Sequence, residues 1–390
     1  MSGNTTTNII IPWGSLPDEI LTNIFVFLPI KSIIICTSVS KAWKSLIKNP
    51  TFISTHLRHS LNKNQNLLFF SLRSENRKQF YALHNEDDAD FTQHARFDYP
   101  FHAPDHLDPH NRVVGTCNGL LFLSNVFRCD YSFCLWNPCV GKLLKLPSPN
   151  ITYATHGPFD ATIGFGFDPK TKDYKVVRVV TLLESINLEK SRPQVEVYTL
   201  STGQWRILRT GLAPIAYFRR DPQTFINGAL YWVASRFSDN KTHNFVLVFD
   251  LGDEVFHEIL LPEFPGHTGL MLGSISVYRN SIALFQEDNG FLHIWVMKEY
   301  GVVYSWTKVL RLPLFYLDFF GATDSIQKAL GFLRSGEVIL KLDRGRLISL
   351  DLKTKETKDL RIIGYKKTIV DYYVESLVLL DKAANSADTY

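Results

Sequence analysis

The stretch Ile163-Gly164-Phe165-Gly166-Phe167, then Asp168-Pro169-Lys170-Thr171-Lys172-Asp173, then Tyr174-Lys175-Val176-Val177-Arg178-Val179-Val180, decides the fold. Two apolar-rich runs of strand length flank a polar turn containing Pro, the pattern of an antiparallel hairpin. Gly164-x-Gly166 has the start of a phosphate-binding turn, but Pro169 fills the third glycine place and a strand follows where a helix is needed, so the segment reads as a β unit. Working outward, tight-turn candidates recur at Asn118-Gly119, Asn227-Gly228, Asn280-Ser281 and Ser335-Gly336. The last three stand about fifty residues apart, and the 168–173 turn falls midway in the double gap between the first two.

Each unit carries a second hairpin: Leu135-Trp136-Asn137-Pro138 to Leu146-Pro147, Val195-Glu196-Val197-Tyr198 to Gln204-Trp205-Arg206, Val246 to Asp250 with Leu260-Leu261-Pro262, and Leu347 to Asp351 with Thr357 to Leu360. Four strands in about fifty residues is the signature of a β-propeller blade. Five units are evident, and a sixth forms if Leu67 to Leu83 is joined by Ile369 to Leu380, which closes the ring and shields its edges. The expected fold is mainly β, a propeller of roughly six blades across residues 65–382, with five to seven allowed.

Before residue 65 the periodicity is helical. Pro17 in a first turn with Ser15 ahead of it and Asp18 behind predicts a helix start, and Ile20, Leu21, Ile24, Phe25 and Leu28 line one face until Pro29 ends it. Ser32 is placed to cap a second helix through Ile33, Ile34 and Cys36. A third holds Val39, Trp43, Leu46 and Ile47, and Phe52, Ile53 and Leu57 suggest a fourth. The expected division is a disordered N-terminus over 1–12, a helical bundle over 13–60, the propeller, and a disordered tail over 383–390.

The order Leu16-Pro17-Asp18-Glu19-Ile20-Leu21, Leu28-Pro29-Ile30-Lys31-Ser32 and Val39-Ser40-Lys41-Ala42-Trp43 resembles the F-box. Asn118-Gly119-Leu120-Leu121, Trp136-Asn137-Pro138, Gly164 to Asp168 and Tyr373-Val374-Glu375-Ser376-Leu377 resemble the F-box-associated repeat domain of plant F-box proteins, a relative of the kelch propeller. The paired glycines of kelch blades are absent, so the likeness is kelch-like rather than kelch proper. Where plant F-boxes often show Arg-Phe-Arg before a Cys, this chain has Ile35, Cys36, Thr37 and Ser38.

The resemblance implies a non-catalytic substrate receptor of a ubiquitin ligase. A Skp-type adaptor would dock on Leu16, Pro17, Ile20, Leu21, Ile24, Leu28, Pro29, Val39, Lys41 and Trp43, bringing a cullin and a RING subunit, while the propeller captures an unknown protein substrate. Some forty residues cannot bury all of these apolar side chains internally, so part of that surface must await a partner. Substrate contacts are expected at the aromatic and basic loop residues Tyr217, Phe218, Arg219, Arg220, Phe315 and Tyr316, although rings between blades more often simply pack.

Composition narrows the alternatives. In 390 residues, 42 Lys and Arg against 38 Asp and Glu leave a net charge of +4, spread without the stripe that nucleic acid requires. Within 1–60, Lys31, Lys41, Lys44, Lys48 and Arg58 face Asp18 and Glu19, which suits an acidic partner there. The most apolar stretch, Ile20 to Cys36, is interrupted by Pro29, Lys31 and Ser32, so no membrane span is expected. Five cysteines without a C-x-x-C pair and no basic leader point to an intracellular protein of the cytoplasm, the nucleus or both.

No cofactor or metal is expected. His94, His102, His106 and His110 could ligate zinc on a helix, but Pro104 and Pro109 forbid one. Neither G-x-x-x-x-G-K-[ST] nor G-x-S-x-G occurs. Two other readings stay open: a propeller interaction module acting outside ubiquitination, and a propeller enzyme, for which converging carboxylates or metal ligands would be needed.

Overall fold

The computed structural model describes residues 16–63, 66–76, 78–88, 90–101, 111–125, 132–182, 193–209, 216–218, 223–238, 241–262, 272–299, 302, 305–315, 317–319 and 322–382. Four helices come first: α1 (Asp18–Phe25), α2 (Ile30–Cys36), α3 (Lys41–Ile47) and α4 (Pro50–Asn62). Pro17, Pro29 and Pro50 start three of them. A missing N–H costs nothing in a first turn, and the fixed φ is already helical. Ser40 caps α3 by accepting from the Trp43 amide at 3.1 Å, and Asn49 caps α4 from the Thr51 amide at 2.8 Å. Ser32 lies inside α2, not at its start, because Pro29 opens that helix three residues earlier than the sequence suggested. The cap expected at Ser15, and both expected disordered ends, lie outside the described residues.

Six sheets of four or more strands follow. Blade 1 combines Val370–Tyr373, innermost, with Leu67–Arg73, Gln79–Asn85 and Gln93–Asp98. Blade 2 runs outward through Asn111–Cys117, Leu120–Asn125, Phe133–Asn137 and Lys142–Lys145, and blade 3 through Phe159–Asp168, Asp173–Leu182, Gln194–Thr199 and Gln204–Ile207. Blade 4 starts on Tyr217–Phe218 and Thr224–Ile226 and continues through Ala229–Ser238, Lys241–Asp250 and Val255–Leu260. Blade 5 comprises Leu272–Tyr278, Ser281–Asp288, Phe291–Met297 and Trp306–Pro313. Blade 6 comprises Ile326–Phe332, Val338–Leu342, Arg346–Leu350 and Thr357–Ile363.

The ring closes as expected between the two ends of the fold: Leu67 pairs with Tyr373 and Phe70 with Val370. The joining strand is shorter than the 369–380 run. After Tyr373 the chain leaves the ladder and lies beneath blade 2, where the Asn137 side-chain amide donates to the carbonyls of Ser376 and Val378, both at 2.9 Å. Gly119 is required there, since a Cβ would stand 2.4 Å from the Val374 carbonyl oxygen and its φ is +80°. Gly164 and Gly166 have a related role: added methyls would strike Gln223, Trp232, Phe225 and Leu251 of blade 4. The Gly-x-Gly run therefore lets neighbouring blades approach closely.

Strands alternate in direction, so the two ends of the propeller differ. The inner hairpins turn at one end, the turn face, with Asn118-Gly119 and Asn227-Gly228 at positive φ as the sequence indicates. In blade 5 the two loop residues are Arg279 and Asn280, one position earlier than read, since Tyr278 pairs with Ser281. The strand ends that successive blades join lie at the other end, the loop face: Asp98 and Asn111, Lys145 and Phe159, Ile207 and Thr224, Leu260 and Leu272, Pro313 and Ile326, Ile363 and Val370. One buried cluster contains Leu21, Phe25, Ile33, Ile47 and Phe52 together with Cys117, Leu120 and Leu377 to Leu380, so the helical unit is seated on the turn face.

Candidate functional site: the helical docking surface and the channel

The apolar residues of the helices divide into two sets. Leu21, Phe25, Val26, Ile30, Ile33, Ile47, Phe52 and Ile53 are buried. Phe25 anchors them, edge-on to Trp43 with ring centroids 4.9 Å apart and to Phe52 at 6.5 Å. Ile20, Ile24 and Val39 remain exposed, as do Pro17, Pro29 and Lys41, while Leu16, Leu28 and Trp43 are half-buried. Leu21 is the exception among the residues singled out for an adaptor: at 4% exposure it belongs to the helical core.

Two residues that sequence reading missed are the most open of all, Phe27 at 68% and Ile35 at 67%. Both were legible in principle. Phe27 extends the stripe on its Ile20 side, the edge away from buried Leu21 and Phe25, and three consecutive isoleucines at 33 to 35 cannot share one face of a helix. An aromatic and an isoleucine left in water on short helices form an unsatisfied apolar surface. Inside the unit, His56 is 3% exposed and its Nδ1 has no hydrogen-bond partner. Burial, with His59 and Lys63 nearby, pushes its pKa down to about 4, so the ring is neutral and packs as a core residue beside Phe52.

The residues expected to hold a substrate are less complete. Phe218 is half-buried against the core of blades 3 and 4, Phe315 is exposed, Tyr217 pairs through its backbone with Ser235, and Arg219, Arg220 and Tyr316 lie outside the described residues. Topology supplies a broader signal. Ile207, Phe237, Leu260, Leu272, Phe315 and Ile363 are exposed, and all stand at the loop-face ends of their strands or in the connections there.

A channel runs along the ring axis. A cavity of about 90 Å³ is lined by residues of the inner strands, among them Gly115, Thr116, Gln223, Ser276, Lys328 and Asp371. A wider space of about 450 Å³ continues past Asp371 to Arg279 and Arg334 at the turn face. Gln223 seals blade 3 to blade 4, its side-chain amide accepting from the Phe165 amide at 3.1 Å and donating to the Phe165 carbonyl at 2.8 Å. Asp371 accepts from the Thr116 hydroxyl at 2.7 Å and from the Tyr372 amide at 2.9 Å. Its deep position pushes its pKa up to about 6, although the side chain keeps some contact with the channel space.

Among the described residues no group of three or more His, Cys, Asp and Glu is arranged to hold a metal ion. Of the four histidines weighed for zinc only His94 is described, and it faces Glu375 at 3.9 Å. Cys36, Cys117, Cys134 and Cys139 are free thiols. Burial pushes Cys117 well above the usual thiol range and Cys139 up to about 12, so neither is poised as a nucleophile. No described helix is long and apolar enough to cross a membrane.

Comparison with known proteins matches both parts. Residues 13–55 match the F-box domain, which in general implies binding of a Skp-type adaptor. Similar curated proteins include F-box protein At3g07870 of Arabidopsis thaliana, 28% identical over 380 residues, covering 90% of this chain and 88% of the relative. F-box protein CPR1 of the same plant is 28% identical over 387 residues, covering 94% and 89%, and F-box/kelch-repeat protein At3g23880 is 27% identical over 353 residues, covering 86% and 87%. Residues 96–378 match the F-box associated beta propeller domain, so with the six-bladed ring and the helices on its turn face the chain belongs to the family of F-box proteins carrying that propeller.

Proposed function

We propose that this chain is the substrate-receptor subunit of a Skp-cullin-F-box ubiquitin ligase. The observation that carries the reading is the set Pro17, Ile20, Ile24, Phe27, Ile35 and Val39, held in water on helices whose opposite faces are already buried. Such a surface gains free energy when an adaptor covers it. The cullin and RING subunits would arrive with the adaptor. The chain supplies no catalytic group in this scheme. It holds a substrate lysine near charged ubiquitin-conjugating enzyme, raising the effective concentration of the reacting pair. Free cysteines suit a reducing cytoplasm or nucleus.

The substrate surface is the loop face. The helices occupy the other end, and the large exposed apolar side chains described in the propeller gather here with the exception of Val302. Capture of a Skp-type adaptor by the full chain tests the reading. The Ile20→Ser/Phe27→Ser variant is expected to lose adaptor affinity by about tenfold or more while its unfolding midpoint moves little, because both side chains are exposed. Leu21→Ala should destabilise the helical unit by about 2–4 kcal/mol. A wild-type chain that binds no adaptor, or a double variant that binds as well as wild type, would sink the assignment.

A further inference from the structure

Three of the inner hairpins turn on the same backbone. Asn118, Asn227 and Arg279 each hold the first place of a two-residue loop, because Cys117 pairs with Leu120, Ile226 with Ala229 and Tyr278 with Ser281. Their φ values are +51°, +52° and +54°. Asparagine is one of the few side chains that tolerates this left-handed conformation, and arginine is not. Blade 5 therefore carries a local strain that asparagine or glycine would relieve. No ion pair offsets it: among the described residues no carboxylate pairs with Arg279, whose guanidinium lies over the Tyr278 ring, 5.4 Å from its centroid, and reaches the Gly336 turn of blade 6. Strain kept without a structural partner points to a use for the side chain.

That use is in the wide mouth of the channel. Asn118, Asn227, Arg279 and Asn280 line the space of about 450 Å³ on the turn face, and Arg334 completes its rim. Cavities of roughly 300–1,000 Å³ hold small molecules. The groups offered change with depth. At the rim, Asn227, Arg279 and Asn280 are exposed, and neither of these two asparagine amides is hydrogen-bonded among the described residues. Arg334 is committed to Glu86 at 3.3 Å and stacks over Tyr372, 5.0 Å from its centroid. Arg279 is thus the rim cation without a described counter-charge. At the base the bore narrows to the cavity of about 90 Å³. There the Asp371 carboxylate accepts from Thr116 and from the Tyr372 amide and keeps lone pairs for about two further donors. Phe225, Ile226 and Val277 supply the apolar part of the wall.

We propose that the turn-face mouth of the channel binds a small hydroxylated organic anion, a sugar phosphate or a hydroxy acid, with its charge on Arg279 and its hydroxyls on the asparagine amides and Asp371. An unpaired guanidinium takes a phosphate or a carboxylate. Side-chain amides both donate and accept, as hydroxyls do. A carboxylate at the base accepts from hydroxyls and repels a ligand that is anionic throughout. The site lies on the face opposite the proposed substrate surface and stands apart from the receptor reading. Val374 borders it and leads into the Leu377 to Leu380 segment packed with the helices, so a bound molecule would lie beside the joint between the two parts.

Isothermal titration calorimetry on the full chain tests this with glucose 6-phosphate, gluconate, glucose and inorganic phosphate as probes. Glucose 6-phosphate, gluconate or both should bind, and glucose and inorganic phosphate should bind about tenfold more weakly or worse, since each carries only part of the recognised chemistry. Preference between the two hydroxylated anions separates phosphate from carboxylate. Arg279→Gly removes the cation and suits the positive φ, so it should weaken binding by about tenfold or more with an unfolding midpoint unchanged or raised. Asn227→Gly, equally suited to its backbone, should weaken binding about threefold. Lys355→Gly removes an exposed cation at a φ of +66° in the outer hairpin of blade 6. It should leave binding within about twofold. Failure of both hydroxylated anions to bind, equal binding of glucose or inorganic phosphate, undiminished binding by Arg279→Gly, equal loss in Lys355→Gly, or a lowered midpoint in Arg279→Gly would overturn the proposal. Adaptor capture by the same samples reports on the helices alone, so its loss with ligand binding intact counts against the ligase reading and not against this site.

Discussion

The helical unit and the propeller treat apolar surface in opposite ways. The propeller hides its strands so thoroughly that Phe69, Phe70, Phe122, Phe165 and Phe249 have no exposure at all, and those large apolar side chains it leaves open are mostly at strand ends on one face. The helices leave Phe27, Ile35 and Val39 in water in the middle of their short run. A closed ring can bury everything because each blade covers the next. Four short helices cannot, and the surplus is a surface for a partner.

Removing the closing strand would break the comparison most severely. Truncation before Val370 deletes the pairing with Leu67 to Phe70, the fully buried Tyr373 and the Leu377 to Leu380 anchor that the helices share. The cooperative thermal transition of the propeller is expected to disappear in calorimetry. A truncated chain that still unfolds cooperatively would show that five blades suffice.

The next effect is local to the propeller. Arg178 and Glu196 form an ion pair with exposures of 1% and 0%, and Glu196 also accepts from the amides of Asn150 and Ile151 at 2.8 and 3.1 Å. Glu196→Ala strands a buried guanidinium and should cost about 3–5 kcal/mol, read as a shift in urea midpoint. A much smaller shift would mean that the Phe133, Phe159 and Trp205 rings around Arg178 hold the cation without its partner.

Titration sharpens the contrast, because one buried group in each region carries a shift of opposite sense. His56 titrates near 4 when folded against an ordinary 6.5, so between those values the unfolded chain takes up a proton that the folded helices refuse. Its contribution is fully present above pH 6.5 and is lost as pH falls towards 4, up to roughly 3 kcal/mol. Asp371 titrates near 6 against 3.8, so the folded propeller holds a proton that the unfolded chain releases, and stability from this group falls as pH rises through that window. Asp371→Asn should therefore stabilise the propeller at neutral pH by about 1–2 kcal/mol, a figure reduced because channel water still reaches the carboxylate. The gain should vanish below the unfolded value. Helix loss and strand loss followed separately by circular dichroism across pH would show the two trends, and parallel curves would refute the assignment.

Much of this architecture was legible. Hairpin chemistry at Asn118-Gly119 and Asn227-Gly228 set the blade spacing, and the need to shield an open edge led directly to the pairing of the first strand with the last. Asn289-Gly290, with φ of +47° and +79°, is another tight turn of the same kind and passed unnoticed because it joins the middle strands of blade 5, off the spacing being followed. Helix stripes separated Phe25 from solvent correctly but gave Leu21 to the docking surface, since periodicity marks an apolar face without saying how much of it the bundle itself consumes.

Pairing Leu67 with Tyr373 also imposes an order of events on a growing chain. The helices emerge first and hold the exposed apolar set that awaits an adaptor, whereas blade 1 waits for its inner strand until residues 370–373 have left the ribosome. An interrupted translation product would thus carry the exposed apolar side chains of the helices together with an unpaired edge on Leu67–Arg73, two sticky surfaces that the finished ring reduces to one.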